Sequence, residues 1–551
     1  MKKRSRLLSA MLAAVAAAAV LSGCGSSSSS EGTAAQNAGG AAAPSGSEAA
    51  LPAGDTTDAD GILKYGTDTW PAGYDPHTIS AVAAVRVLNQ VYEQLVTLNE
   101  DMTIGPELAE SWETPDDKTY IFKLRQGVKF QNGREMTAED VQYSFQRILG
   151  QTEAGDIGAL GSSASYYGDI ASMEVVDPYT IKFVLNQPNA SFLSNLGSTY
   201  GSIVCKEVVE ENNGSLSEIS TMCGTGPFKY KDSVVDNYIA LEKNPDYRDA
   251  ANVKLNGVTF YLLADESTRL AALRTGSIDL TPLSALNVPD VEKDENIQVL
   301  SYQSNNYTYL GFNLSNPALQ DVRVRHALSL ASDRQAIIDY VYNGDATVST
   351  FVAPAMGHWV WDATSESPLY QYNVEEAKKL MEEAGYSDSN RLKLKTAAGL
   401  LDSIRDTAVI LQQQYKEIYV DLEISNLESG EYVDVWKKMS TPEAGFDLMV
   451  GQNGSGTDPN RAVSFFFSST GGANVFGYSN PKVDELSAEG NATVDESKRE
   501  SIYLEAQKLI VEDSPNLWFA SPIEYMFADK KLKGYEPTAV DATDFTHAYF
   551  E

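Results

Sequence analysis

Two hydrophobic periods alternate along this chain from about residue 61 to its end, and that alternation admits one broad class of fold. Tyr120 to Leu124 and Ile181 to Leu185 place apolar side chains at every second position, the period of a half-buried strand. Thr137, with Asp140 three residues on, starts a helical run whose buried face is Val141, Phe145 and Ile148. Asn373 and Glu376 start another. Its face is Ala377, Leu380, Met381 and Ala384, and Gly385 ends it. A helix near Ile404 to Ile418 feeds a strand from Val420 to Ile424. A short apolar strand, Phe446 to Val450, runs into Gly451-Gln-Asn-Gly-Ser-Gly-Thr-Asp-Pro459. Elements interleaved in this way give an α/β fold with mixed sheets. No internal repeat and no second low-complexity linker interrupts them. Two lobes joined by ordered crossing strands are therefore expected, rather than separate beads.

The first sixty residues are of another kind. Lys2, Lys3, Arg4 and Arg6 precede an apolar run from Leu7 to Leu21, too short for a permanent membrane span. The run ends at Leu21-Ser22-Gly23-Cys24, small residues before a cysteine, as in a bacterial lipobox. Residues 1–23 are expected to be a lipoprotein signal peptide and Cys24 the lipidated first residue of the mature chain. The rest of 24–60 is rich in Ser, Gly, Ala, Thr and Pro and cannot bury enough apolar surface to offset its ordering entropy, so it reads as a flexible tether. Work outside the cell but close to its membrane follows. The formal charge is −34, and loss of the four leader cations makes it more negative still. Such a charge repels phosphate backbones and excludes nucleic acid as a partner. With Cys24 lipidated, Cys205 and Cys223 remain. A disulfide between them is expected in an oxidising compartment, the alternative being two buried thiols.

Enzyme chemistry finds no foothold. The four histidines, His77, His326, His358 and His547, make no His-Glu-x-x-His zinc pattern, and neither a P-loop nor a dinucleotide fingerprint is present. Asn453-Gly-Ser-Gly456 lacks the first glycine of a nucleophile elbow. No catalytic group, cofactor or metal is expected.

Several segments, read in order, carry a resemblance. They are Tyr74-Asp-Pro-His77, Val91-Tyr-Glu-Gln-Leu95, Pro106-Glu-Leu-Ala-Glu-Ser-Trp112 and Phe122-Lys-Leu-Arg-Gln-Gly-Val-Lys-Phe130. Met136-Thr-Ala-Glu-Asp-Val141, Gly224-Thr-Gly-Pro-Phe228, Asn244-Pro-Asp-Tyr247 and Asp321-Val-Arg-Val-Arg-His-Ala-Leu328 follow. From about Ile62 to about Ala520 the chain resembles the peptide/nickel-type solute-binding proteins of ABC importers. The resemblance implies a two-lobed periplasmic-binding-protein-like fold of type II. Lobe I would comprise 61–304 and 515–551, with 101–190 as an extra subdomain, and lobe II 305–514. It further implies a monomer that closes around a ligand, most often a peptide, and delivers it to an ABC permease and its ATPase. Nickel or other metal chelates, opines and oligosaccharides are ligands of relatives, and a surface sensor for a peptide signal could use the same fold.

The ligand is expected outside the carboxyl ends of the strands. That points to Gln452, Asn453, Gly454, Ser455, Gly456, Thr457 and Asp458, where the glycines leave backbone groups accessible. In the family's dipeptide and oligopeptide binders, an aspartate three residues before the Asp-Pro pair holds the peptide's α-amine. Here Ser455 stands there, and a buried ammonium needs a counter-charge that serine does not supply. Asp458 or Asp75 are the substitutes in view. Tyr74, Asp75 and His77 would face the cleft, or Asp75-Pro76 would simply make a turn. His358, Trp359 and Trp361 would cover the cleft or pack. Asn305, Asn306 and Tyr307, near the first crossing, are further candidates.

Overall fold

The computed structural model describes residues 60–79, 81–99, 103–155, 157, 166–167, 169–291, 293–399, 401–539 and 543–551. The leader, Cys24 and the tether as far as residue 59 lie outside the described residues.

The expected α/β class with mixed sheets is the one observed. In an eight-stranded sheet, Ile62–Thr67 pairs in parallel with Gly257–Leu262 on one side and Leu280–Pro282 on the other. Tyr238–Lys243 and Phe228–Val234 extend the first side. Ala520–Asp529 runs antiparallel to Leu280–Pro282 and to Ile297–Gln303 on the second. Leu63 and Tyr65 alternate into a core with Val87, Leu88 and Val91 of the helix Val82–Val91.

A five-stranded sheet sets Leu392–Ala398 in parallel with Val420–Asn426 and Leu448–Gly454, then Asn306–Phe312 and Asn516–Trp518 antiparallel in turn. Its strands sort their side chains by the period of two. Leu310, Phe312, Leu448 and Val450 join the helices Val322–Leu330, Val374–Glu383 and Asp402–Lys416 in one core. Tyr309, Met449 and Trp518 join Pro481–Ala492 and Glu496–Asp513 in another. Both faces are covered, which is why Leu448-Met449-Val450 is continuously apolar.

A third sheet, of four antiparallel strands, holds Ala109–Asp116, Thr119–Leu124, Thr180–Leu185 and Ile170–Asp177. The helix Ala138–Ile148 covers it with Val141, Phe145 and Ile148.

Local signals set most of these helices. Asp140 accepts the Thr137 N–H at 2.9 Å, closing the N-terminal box. Asn373 accepts the Glu376 N–H, and Gly385 ends that helix at φ +96°, a conformation costly for any residue with a Cβ. The strand expected at Phe446 to Val450 instead spans Leu448–Gly454. Asp447, just before it, is still tied to both neighbours: its N–H donates to Lys395 O at 2.9 Å, its carbonyl accepts the Asn313 N–H, and its carboxylate accepts the Lys395 N–H. Gln452, Asn453 and Gly454 prolong it because their backbone pairs with Asn306, Tyr307 and Thr308.

Two strands pass directly from one large sheet to the other. Only Ser304 and Asn305 separate Ile297–Gln303 from Asn306–Phe312, and only Phe519 separates Asn516–Trp518 from Ala520–Asp529. The crossings are tied to each other: Ser521 Oγ donates to Ser304 O at 2.8 Å and the Phe519 N–H to Thr308 O at 3.0 Å. A third strand, Ala346–Val348, pairs with Ala520–Pro522, and the next N–H, from Ser349, donates to Phe519 O.

The bridge expected between Cys205 and Cys223 is corrected by the structure: both are free, buried thiols. The two thiols interact with each other, and Cys205 Sγ also accepts from Asn132 Nδ2 at 3.2 Å and donates to Glu207 at 3.4 Å.

Gly224 and Gly226 lie against the backbone just after the helix Val82–Val91. A Cβ on Gly224 would stand 2.0 Å from Val91 O and 2.8 Å from Tyr92 Cα, and one on Gly226 2.7 Å from Gln90 O. Backbone cannot move aside as a flexible side chain can. Gly224→Ala is expected to destabilise the fold by about 1–3 kcal/mol, read as an earlier midpoint in urea titration followed by circular dichroism.

Candidate functional site

A cavity of about 1030 Å³ opens between Thr457, in the loop after Leu448–Gly454, and elements packed on the other two sheets. Its wall takes Asn89, Tyr92, Glu93 and Gln94 from the end of the helix Val82–Val91 and just beyond, with Val85 and Ile79 beside them, and Thr97, Pro106 and Glu107 from the hairpin Val96–Leu98/Ile104–Pro106 and the residue after it. Tyr200, Tyr247 and Arg248 and part of the C-terminal segment complete it. A second cavity, about 710 Å³, sits at the amino ends of the same parallel strands and draws its whole lining from residues 313–447. The larger one lies at the carboxyl ends, where open α/β sheets bind ligands, and draws on several elements at once.

Its charge is lopsided. Glu93, Glu107, Asp249, Glu536 and Asp544 line it against a single guanidinium, Arg248. Glu93 is 2% exposed, and its Oε1 accepts from Arg248 Nη2 at 2.5 Å. The Thr225 hydroxyl lies beside the same carboxylate as a neutral hydrogen-bond partner. Burial raises the Glu93 carboxyl despite Arg248. Glu107 accepts the Gln94 N–H at 3.1 Å. Burial first, then the charge of Glu93, hold its carboxyl well above the usual range.

The strand-end loop is built differently from its sequence reading. Ser455 is fully buried: its hydroxyl accepts the Ala353 N–H at 2.7 Å and donates to Phe351 O at 3.2 Å, while its own N–H donates to Asn305 O. Asn305 Nδ2 donates to Gly456 O. Asp458 is clasped by Arg499, whose Nη1 and Nη2 donate at 2.8 and 2.6 Å. Ser191 Oγ and Ser194 Oγ, flanking the four-stranded sheet, also donate to it, at 2.9 and 3.3 Å. Beside them the Ala190 N–H donates to Asn491 O at 2.7 Å, and Arg461 donates to the Tyr166 hydroxyl at 3.3 Å. One rim of the cavity is thus bridged.

Asp75 and His77 lie in a second buried knot. Arg147 donates to both Asp75 oxygens, at 3.0 and 2.5 Å, and to Gly214 O. Arg147 Nη1 also lies 2.8 Å from His77 Nδ1, which must accept because a guanidinium only donates. The His77 proton is therefore on Nε2, donated to Ser202 O at 2.9 Å. Burial, then Arg147, lowers the His77 pKa to about 4. Tyr74 is half-buried near Trp70, with its hydroxyl pushed up to about 12 by burial.

Trp359 and Trp361 pack against the helix Glu496–Asp513: Trp359 meets Tyr503 edge-on, and the Trp361 backbone N–H donates to Gln507 Oε1 at 3.1 Å. His358 stacks on Trp359 and reaches Glu496 at 3.2 Å. Asn306 is exposed, Tyr307 is in the core beside Tyr309, and Gln452, Asn453 and Gly454 continue the ladder. Of the residues proposed from sequence, only Thr457 lines the large cavity. Glu93, Glu107 and Arg248, which line it, were not among the residues proposed from sequence. The available signal was Glu93 itself, a charge set in the apolar stretch Val91-Tyr92-x-x-Leu95-Val96.

Comparison with known proteins agrees over most of the chain. A family model, bacterial extracellular solute-binding proteins, family 5 Middle, matches residues 103–474. The oligopeptide-binding protein AppA of Bacillus subtilis is 28% identical over 560 residues, 97% of each chain. The dipeptide-binding protein of Escherichia coli is 28% identical over 86% of this chain and 91% of its own. The solved structure of the periplasmic binding protein DppA from Helicobacter pylori in complex with a peptide superposes with a TM-score of 0.74 at 28% identity, covering 89% of this chain and 98% of that one.

Two outcomes follow from the buried knots. Unfolded His77 takes up a proton below about pH 6.5, the folded residue only below about 4. The unfolded state binds more protons in between, so stability is complete above this window and falls as pH drops through it, by roughly 3 kcal/mol. Asp75, its carboxyl lowered chiefly by Arg147 against the cost of burial, acts in the same direction at lower pH. In His77→Gln, thermal midpoints measured across the window should fall less steeply than in the parent. Arg499→Met strands the Asp458 charge and should cost about 3–5 kcal/mol in urea titration, much of it recovered in the double variant with Asp458→Asn.

Proposed function

From a chain that belongs to the bacterial extracellular solute-binding proteins of family 5, serving an ABC importer and no catalytic cycle, we propose a peptide as the cargo. It is captured in the 1030 Å³ cavity and delivered to the importer's permease and ATPase. The observation that carries this reading is the placing of the cavity: Thr457 of the five-stranded sheet faces it from one side, elements beside the other two sheets from the other, with two hydrogen-bonded crossings behind. Relatives named for oligopeptides and dipeptides, and a similar fold solved around a peptide, support it.

In this reading lobe I is the eight-stranded sheet with the four-stranded subdomain, and lobe II is the five-stranded sheet. The hinge lies at Ser304–Asn305 and Phe519, and Ser191 and Ser194 meeting Asp458 form the closed rim. Closure is a rigid-body turn of one lobe on the other. The protein works as a monomer outside the cell, held to the membrane by lipid on Cys24 and by the tether.

Incubation with a tryptic casein digest, then desalting and native mass spectrometry, should reveal adducts with peptide masses. Small-angle scattering with a peptide so identified should show a smaller radius of gyration than the ligand-stripped protein. Adducts of other mass with no peptide among them would overturn the peptide reading, and an unchanged profile at saturation would overturn closure. Cys24→Ala should abolish palmitate labelling and move the protein from the membrane fraction to the soluble one.

A further inference from the structure

Charge is settled on one side of the far rim before the two sides meet. Asp458 and Arg499 both belong to lobe II, and Arg499 donates to the two carboxylate oxygens at 2.8 and 2.6 Å. The Asn460 N–H, from the same lobe, donates to Asp458 at 2.8 Å. What lobe I offers is neutral. Ser191 Oγ donates to Asp458 at 2.9 Å and accepts from Arg499 Nη2 at 3.1 Å. Ser194 Oγ reaches the second carboxylate oxygen at 3.3 Å while also donating to Ser191 O at 2.9 Å, so it is the weaker of the two. All four side chains are buried. Arg461 repeats the pattern. Its guanidinium lies over Phe465 and Phe466 of its own lobe, 5.0 and 5.9 Å from the ring centres, and donates to the Tyr166 hydroxyl of the other lobe at 3.3 Å.

We propose that Ser191 and Ser194, seated on the Asp458–Arg499 pair, form a latch that stabilises the closed arrangement by the same amount whatever cargo lies in the cavity, and also with none. The latch rests on the two-lobe closure proposed above. Ser191, Ser194, Asp458 and Arg499 are all outside the cavity wall, and so is Asn491, whose carbonyl accepts the Ala190 N–H at 2.7 Å beside them. They are positioning residues: they touch the opposite lobe and one another, and cargo in the cavity meets other groups.

The division of charge makes such a junction reversible. A carboxylate without a cation would lose its hydration uncompensated as the rim closed, and a salt bridge across the rim would leave one bare charge on each lobe whenever it opened. Asp458 carries its cation in both arrangements. Opening exchanges only two hydroxyl donors for water. Hydrogen bonds from a hydroxyl to a charged group are stronger than neutral ones, yet each is weak enough to break singly. Salt screens buried groups little, and here the charges are balanced before the lobes touch.

The double variant Ser191→Ala/Ser194→Ala tests the latch, with Ser191→Ala as the milder form and the thermal midpoint as the check on folding. Protein stripped of cargo by unfolding, dialysis and refolding is compared first, by small-angle scattering. The double variant should have a larger radius of gyration than the wild type, by the same margin in low and in high sodium chloride. Equal radii overturn the latch, whether or not the midpoint has fallen. A margin that collapses in high salt overturns it too, since charge would then be meeting charge across the rim. A tryptic casein digest is then added, and retained peptides are weighed by native mass spectrometry. Peptides held by the wild type should be held roughly tenfold or more weakly by the double variant, in unchanged proportions. Loss confined to some of them overturns the latch, because the serines would then be reading the cargo. Should the double variant fail to fold, both measurements pass to Ser191→Ala, where smaller shifts in the same directions are expected and their absence overturns the latch. A wild type that retains no peptide, yet is more compact than the variant, removes the peptide reading and leaves the latch standing.

Discussion

A carboxylate taken out of water costs several kcal/mol unless a cation and N–H donors take the place of its solvent, and much of this molecule is arranged around that requirement. Asp75 is matched by Arg147, Asp140 by Arg134 at 2.6 Å, and Asp458 by Arg499. Two of them, Asp75–Arg147 and Asp458–Arg499, tie together segments far apart in the chain. Arg147, on the helix Ala138–Ile148, reaches the loop after the first strand and the carbonyl of Gly214. Arg499 fixes the start of the loop that faces the cavity and presents Asp458 to Ser191 and Ser194. Such pairs add little net stability compared with apolar packing, but removal of one member is costly, so they specify geometry. Against this pattern the cavity stands out: Glu107 has no arginine of its own, and Glu93 shares Arg248 through one oxygen only.

Where structure depends on neighbours in sequence, the sequence was legible. The caps at Thr137 and Asn373, the stop at Gly385 and the buried faces of their helices follow from residues within one or two turns. The helix at Asp402–Lys416 and the strand after it were read to within a few residues. The strand Leu448–Gly454 was misread at its far end because that limit is set by Asn306–Thr308, distant partners that no local pattern names.

The site was harder for the same reason. Asp75 and His77 were assigned to the cleft from their place in a motif, yet Arg147, more than a helix away in sequence, claims both. Trp359 and Trp361 looked too apolar for a loop without a ligand, but the helix Glu496–Asp513 supplies their burial. Glu93, Glu107 and Arg248 fell within or beside quoted family segments and were passed over, since only the folded chain sets them around one space. The thiols were the reverse case: composition and compartment favoured a bridge, and the fold does bring Cys205 and Cys223 together, as free thiols.

Strands run from one large sheet straight into the other. Three strands pass or end there side by side, with Ser304–Asn305 and Phe519 as the shortest links and Ser349 bonded to the carbonyl of Phe519. In the reading proposed above, the halves turn on these links by an angle. The far rim makes most of its contacts through Ser191, Asp458, Ala190 and Asn491, outside the wall of the cavity, and one through Tyr166, which is part of that wall. Cargoes of different length and side chain that permit the same angle would then present one outer silhouette to the membrane machinery. The shape that announces a full cleft is separable from the chemistry that fills it.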